Sequence, residues 1–113
     1  MASVDQHFDG KNNEVREVYD HLVALAEQFG PMQQDPKKTS IHLNRKTAFA
    51  GVAVRKGHLV LTIKADHSIK SPRVFKSEQI SAKRFHHEVK LSTVDDLDAE
   101  LRGWLKAAYH LSA

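Results

Sequence analysis

Apolar residues change period twice along the chain. From Glu14 to Phe29 they fall at Val15, Val18, Tyr19, Leu22, Leu25, Ala26 and Phe29, the i, i+3, i+4, i+7 series of an amphipathic helix. Asn13 is placed to cap it, Glu14 and Glu17 suit the positive end of its dipole, and Gly30-Pro31 stops it. The last segment repeats the period: Leu97, Leu101, Trp104, Leu105 and Ala108 form one stripe. Thr93 is the expected cap there. Asp95, Asp96 and Asp98 crowd the first turn, and Arg102 and Lys106 sit toward the negative end.

Between the helices the period is 2. Ile41 and Leu43 alternate with Ser40, His42 and Asn44; Leu59, Leu61 and Ile63 with His58, Thr62 and Lys64; Phe85, His87, Val89 and Leu91 with His86, Glu88 and Lys90. Thr47 to Val54 is a more continuous apolar strand, with Gly51 at an expected bulge or close approach. Asn44-Arg45-Lys46 and Arg55-Lys56-Gly57 read as hairpin turns, Ser71-Pro72 as a loop, and Val74 to Ile80 as a further strand. The order helix, about five strands, helix predicts the α+β class. Its economical form is an antiparallel sheet with the N-terminal and C-terminal helices packed on one face. Residues 1–12 are expected to be a mobile N-terminal tail, with Phe8 able to dock on the core, and residues 13–113 a single domain.

Composition narrows the class. With 113 residues, 41% hydrophobic and 27% charged, the chain has a globular balance and room for one core. It has no cysteine, which excludes a disulfide scaffold, a thiolate nucleophile and cysteine-based zinc sites, and fits a reducing cytoplasm. No apolar run approaches the ~18 residues of a membrane span, and the opening residues lack the pattern of a secretory signal. A cytoplasmic, bacterial-type domain is the expectation.

Charge is unevenly spread. Lys37 to Lys90 holds 13 Lys or Arg against three acids (Asp66, Glu78, Glu88), a balance of +10, while the flanks hold 4 bases and 11 acids, a balance of −7. Such a basic middle suits phosphates or another polyanion, or else lysines that blunt sheet edges. In a simple meander the Lys37-Lys38 and Arg55-Lys56 connections share one end of the sheet, and Lys83 and Arg84 are expected to join them. Arg45, Lys46, Lys70 and Arg73 would collect at the other end. Ser40, His42, Asn44, His58, Thr62, Lys64, His86 and Lys90 would show on the face away from the helices.

Catalytic patterns are sparse. Ser40 and His42 share a strand face, but no acid is evidently placed to orient the imidazole and no G-x-S-x-G elbow occurs. Eight histidines invite a metal reading, yet adjacent His86 and His87 face opposite ways and carboxylates are few, so no metal is expected. His87 points inward, toward a possible pocket or a buried hydrogen-bonded position. Neither nucleotide-binding glycine loop is present, no cofactor is implied, and the aromatic RNA-binding strand signature is missing.

The stretch PKKTSIHLNRKTAFAGVAVRKGHLVLTI, followed by SPRVFKSEQIS, HHEVKLST and DDLDAEL, resembles an uncharacterised bacterial domain-of-unknown-function family sometimes labelled a predicted transport protein. The resemblance covers roughly Val15 to Tyr109. Its most specific parts are Lys38 and Ser40, Phe49-Ala50, Arg55-Lys56 and the join from His87 to Leu97; Val94 stands where the family often has proline. The family has no established activity, and its occurrence beside nuclease-like parts implies an accessory binding module. Its polar positions here are Lys38, Ser40, His42, Arg55, Lys56 and His87. Together the readings predict a non-enzymatic module for an anionic partner, nucleic acid first and otherwise a phosphate-bearing ligand. Lys37, Lys38, Ser40, His42, Arg55, Lys56, Lys83 and Arg84 would form its site. A protein-interaction or small-ligand domain is the alternative, and an enzyme ranks third.

Overall fold

Alternation along each strand decides what the helices cover. In the computed structural model, which describes residues 3–113, the period-2 segments form one antiparallel sheet of six strands. These are β1 (Gln33–Pro36), β2 (Ile41–Asn44), β3 (Ala48–Val54), β4 (Leu59–Ala65), β5 (Val74–Ser81) and β6 (Arg84–Leu91), with helices α1 (Asn13–Glu27) and α2 (Ala99–Leu111) flanking them in sequence. The fold is α+β with six strands, one more than expected. The extra strand is β1, whose Gln-Gln-Asp-Pro sequence pairs only with β2 and has no apolar side to reveal it.

Leu59, Leu61 and Ile63 of β4 are fully buried, while Val60, Thr62 and Lys64 between them are half-buried. The inward residues of β2, β3, β4 and β6 share one core with Val15, Val18, Tyr19 and Leu22 of α1 and Leu101, Leu105, Ala108 and Tyr109 of α2. Burying each such side chain stabilises the fold by about 1.5–3 kcal/mol. Between Leu43 and Asn44 the β2–β3 register slips, so Leu43 faces Ala50 and Asn44 faces Ala48. Phe49 is the extra residue, and both it and Ala50 are buried. Its ring meets Tyr109 edge-on at 5.3 Å. The bulge thus precedes Gly51 by two residues, and Gly51 itself pairs regularly with His42.

The strand order is β1-β2-β3-β4-β6-β5, not a meander. Because β6 is antiparallel to both β4 and β5, those two run the same way and residues 66–73 must recross the sheet. That corrects the expected gathering of cations. Lys83 and Arg84, in the β5–β6 turn, lie at the end opposite Lys37, Lys38, Arg55 and Lys56. Arg73, at the start of β5, lies at the Lys38 end instead of the Lys46 end.

Two helix starts also differ from expectation. Asn12 precedes α1 without a side-chain cap bond, and Asn13 is the first helical residue. The turn after Thr93 is a 3-10 turn over Val94–Asp96, where the Asp96 carboxylate accepts from the backbone N–H of Ser92 (2.7 Å) and Thr93 (3.1 Å). Leu97 then leaves helical geometry, and α2 begins afresh with Asp98 as its cap, accepting from Leu101 N–H at 3.0 Å. Near the N-terminus, Asp5–Phe8 form a 3-10 turn. Phe8 packs 5.1 Å from the Tyr19 ring, and Arg16 lies over Phe8 while bridging Asp5 at 2.8 Å. Met1 and Ala2, also counted in the expected tail, lie outside the described residues. No helix among the described residues is long and apolar enough to cross a membrane.

Candidate functional site: a trough on the open face

Positions turned away from the helices line up in rows across the strands. The registers set Asp35, His42, Gly51, Thr62, Glu88 and Lys76 side by side from β1 to β5. A neighbouring row joins Lys64, His86 and Glu78, and another joins Ala53, Val60 and Lys90. In these rows β3 contributes only Gly51 and Ala53, and Ala48, opposite Asn44, also lines the hollow between them. Small residues on a central strand between larger neighbours leave a trough of about 240 Å³, lined on the β2 side by Ser40 and His42 and on the other by Thr62, Lys64 and His86. A Cβ built on Gly51 would lie 3.9 Å from Cδ2 of His42, so the imidazole leans over the glycine.

Cations act on two groups of this face, while Asp35, Glu88 and Glu78 flank the trough in the rows above. Partial burial first, then the charges of Lys90 and Arg55, hold His58 below its ordinary pKa. Partial burial and then Arg84 lower that of Lys64, whose ammonium donates to Ser112 Oγ at 2.8 Å and Thr47 Oγ1 at 3.2 Å. At the β1 edge, Asp35 is bridged by Lys37 Nζ at 2.8 Å, which holds its carboxyl below the usual range. Asp35 also accepts from Asn44 Nδ2 at 3.4 Å, while the buried Asn44 Oδ1 has no partner among the described residues.

A family model described as a domain of unknown function, DUF5655, matches residues 4–112. The chain belongs to this family. No curated protein and no solved structure matches it.

The structure brings only some of the expected site residues together. Ser40 and His42 enter the trough. Lys38, Arg55 and Lys56 are exposed at one end of the sheet, where Lys37 is engaged by Asp35. Lys83 and Arg84 are at the far end, the end that also holds Arg45, which stacks 4.3 Å over the Tyr109 ring and donates to the Tyr109 carbonyl. Arg73 is also engaged: it bridges Asp98 at 2.9 Å and Glu100 at 3.2 Å and donates to the Asp96 carbonyl at 2.7 Å.

His87 is fully buried and lines none of the hollows described. With its proton on Nε2 it donates to the His67 carbonyl at 3.0 Å, and Nδ1 accepts from the Ser77 hydroxyl at 2.8 Å. Its ring stacks on Phe85 at 5.9 Å. This imidazole ties the recrossing loop to β5.

An acid does stand beside His42: Asp35, directly opposite on β1. Sequence reasoning missed it because β1 has no readable period. Asp35 nonetheless bonds Lys37 and Asn44, and no hydrogen bond links Ser40, His42 and Asp35 among the described residues. No three His, Asp or Glu side chains among those residues converge as metal ligands. Thr62, Lys64 and His86 were legible as outward residues. Their partnership with a small-residue floor was not, because the bulge at Phe49 shifts which β3 residues face outward.

Proposed function

We propose that this domain is a non-enzymatic binding module whose ligand is a small phosphate-bearing anion held in the open-face trough. The lining carries the reading. Two histidines, a lysine, a serine and a threonine surround an alanine and glycine floor with no carboxylate among them. The two other hollows described each include one, Glu27 or Asp66. Phosphate oxygens accept well from hydroxyls, imidazole N–H groups and ammonium groups, and a carboxylate-free lining avoids repelling them. Lys38, Arg55 and Lys56 add a positive field that favours an anion's approach. A hollow of about 240 Å³ lies just below the usual size range of ligand sites, which favours a compact phosphate compound over a long strand. A nucleic-acid strand would also need exposed rings for stacking, and the trough's one Phe, Phe49, is fully buried. A chain without cysteine suits a cytoplasmic setting.

The test is an NMR titration with inorganic phosphate and a nucleoside monophosphate, beside labelled single-stranded RNA at low and high salt. Shifts centred on Gly51, Thr62 and His86 are expected. His42→Ala or His86→Ala should raise Kd about tenfold or more, the worth of a hydrogen bond to a charged group. No shift at millimolar phosphate compound would overturn the reading. RNA binding abolished by Lys38→Glu with Arg55→Glu but indifferent to His42→Ala would replace it with a nucleic-acid module.

A further inference from the structure

The two edges of the sheet are unlike. The β1 edge is four residues long, ends in Pro36 and carries the Asp35–Lys37 ion pair, all features that discourage strand addition. The β5 edge is eight residues long and lacks proline. It pairs with β6 in constant register from Lys76 to Gln79, opposite Glu88 to Phe85, and slips once on each side. The two unmatched residues are Phe75 and Ile80. These are also the exposed large hydrophobics among the described residues, at 58% and 50%. A regular four-residue ladder with unpaired backbone groups is thus bracketed by two uncovered apolar side chains.

We propose that this edge pairs with the β5 edge of a second copy of the chain, antiparallel about a two-fold axis at Ser77. Charge selects both partner and register. Lys76 and Glu78 share the open face, since they lie opposite Glu88 and His86. A two-fold at Ser77 sets Lys76 of each copy against Glu78 of the other, giving two opposite-charge cross-strand pairs. An axis at Glu78 would set the two Glu78 carboxylates against each other. An axis between Ser77 and Glu78 would leave Lys76 facing Gln79. The Ser77 register also brings Phe75 of one copy beside Gln79 and Ile80 of the other, covering the exposed apolar groups. Lys76 lies 3.6 Å from Glu88 of its own chain, so each lysine would stand between two carboxylates. An axis normal to the sheet keeps both open faces on one side of a continuous twelve-stranded sheet, a count that follows from two six-stranded sheets.

Sedimentation velocity across a concentration series reads the dimer directly. The wild-type chain is expected to dimerise reversibly, with the amides of Lys76 to Gln79 gaining hydrogen-exchange protection as dimer forms. Glu78→Lys makes both cross-strand pairs lysine against lysine, and Lys76→Glu makes both acid against acid. Each variant alone should show a dimer Kd raised about tenfold or more. An equimolar mixture should recover association, because every pair across the axis is then opposite in sign. Circular dichroism and thermal melting of each variant report that it is folded, and recovery on mixing cannot come from misfolded chains. A wild-type chain monomeric at millimolar concentration overturns the proposal, as does a dimer indifferent to Glu78→Lys or folded variants that fail to associate when mixed.

Discussion

The helix-covered face and the open face of the sheet are built from the same strands, one residue in two belonging to each. On β4, Leu61 is fully buried against the helices, and Thr62, the next residue, lines the trough. On β3, Val52 fills the core while Gly51 and Ala53 leave the opposite side hollow. The covered face gains its stability from volume, and the open face has its trough from the lack of it. Stability and the proposed binding are therefore assigned to different positions.

Leu61→Ala is the largest expected break in that comparison. It removes a fully buried side chain and should cost about 3 kcal/mol in urea unfolding. Thr62→Ala, one residue away, should cost under about 1 kcal/mol and act mainly on ligand affinity. Comparable losses from the two would mean that both faces carry the fold.

Gly30→Ala comes next, at about 2 kcal/mol. Gly30 has φ +144°, and a Cβ there would lie 2.5 Å from the Tyr109 hydroxyl. That hydroxyl donates to the Pro31 carbonyl at 2.9 Å, and the ring below it packs on Phe29 and Phe49. Thermal melting should show the loss, and Tyr109→Phe with Gly30→Ala should recover part of it by removing the atom in closest conflict. The same residue pair shows what could be read before the structure was known. Gly30-Pro31 marked a helix stop by local chemistry, but nothing local foretold that a tyrosine 79 positions later would close over the glycine.

That division holds throughout the molecule. Both helical stripes, and five strands with their turns, are properties of neighbouring residues and were legible as such. The exposed edge strand β1 has no apolar period to read. The start of α2 was misplaced because Thr93 and Asp98 are both competent caps, and only the turn at Leu97 separates them. The insertion of β6 between β4 and β5 depends on long-range ties, with His87 holding the His67 carbonyl and Arg73 held at Asp96, Asp98 and Glu100. Since those ties join residues far apart in sequence, the meander assumption misplaced Lys83 and Arg84. The site was half legible: its walls follow from alternation, but its floor depends on a bulge.

Gly51→Ala should separate the two faces with a smaller effect of opposite sign. The added methyl meets only the His42 ring, at the ordinary contact distance of 3.9 Å. Replacing glycine inside a strand should therefore raise stability by about 0.5 kcal/mol. The same methyl occupies the trough, so phosphate-compound affinity should fall while the melting temperature rises. A variant that loses both would place Gly51 among the structural residues.

The smallest expected effect is on pH dependence, and it belongs to the open face alone. His58 is held below its ordinary pKa of 6.5 by partial burial and by Lys90 and Arg55. Well above pH 6.5 the imidazole is neutral in folded and unfolded chains alike and contributes no slope. As pH falls below 6.5 the unfolded chain takes up the proton first, so the folded state loses stability until the lower folded pKa is passed. Urea midpoints at pH 7.5, 6.5 and 5.5 should therefore diverge, with His58→Gln declining less than wild type toward acid. Lys90→Ala should flatten the wild-type slope in the same direction. An anion bound on this face would offset the two cations and raise the His58 pKa, so binding should take up a proton and tighten as pH falls from 7.5 to 6. Parallel urea curves for wild type and His58→Gln would remove His58 from the influence of Lys90 and Arg55, whereas divergence without tighter acid binding would place the ligand beyond its reach.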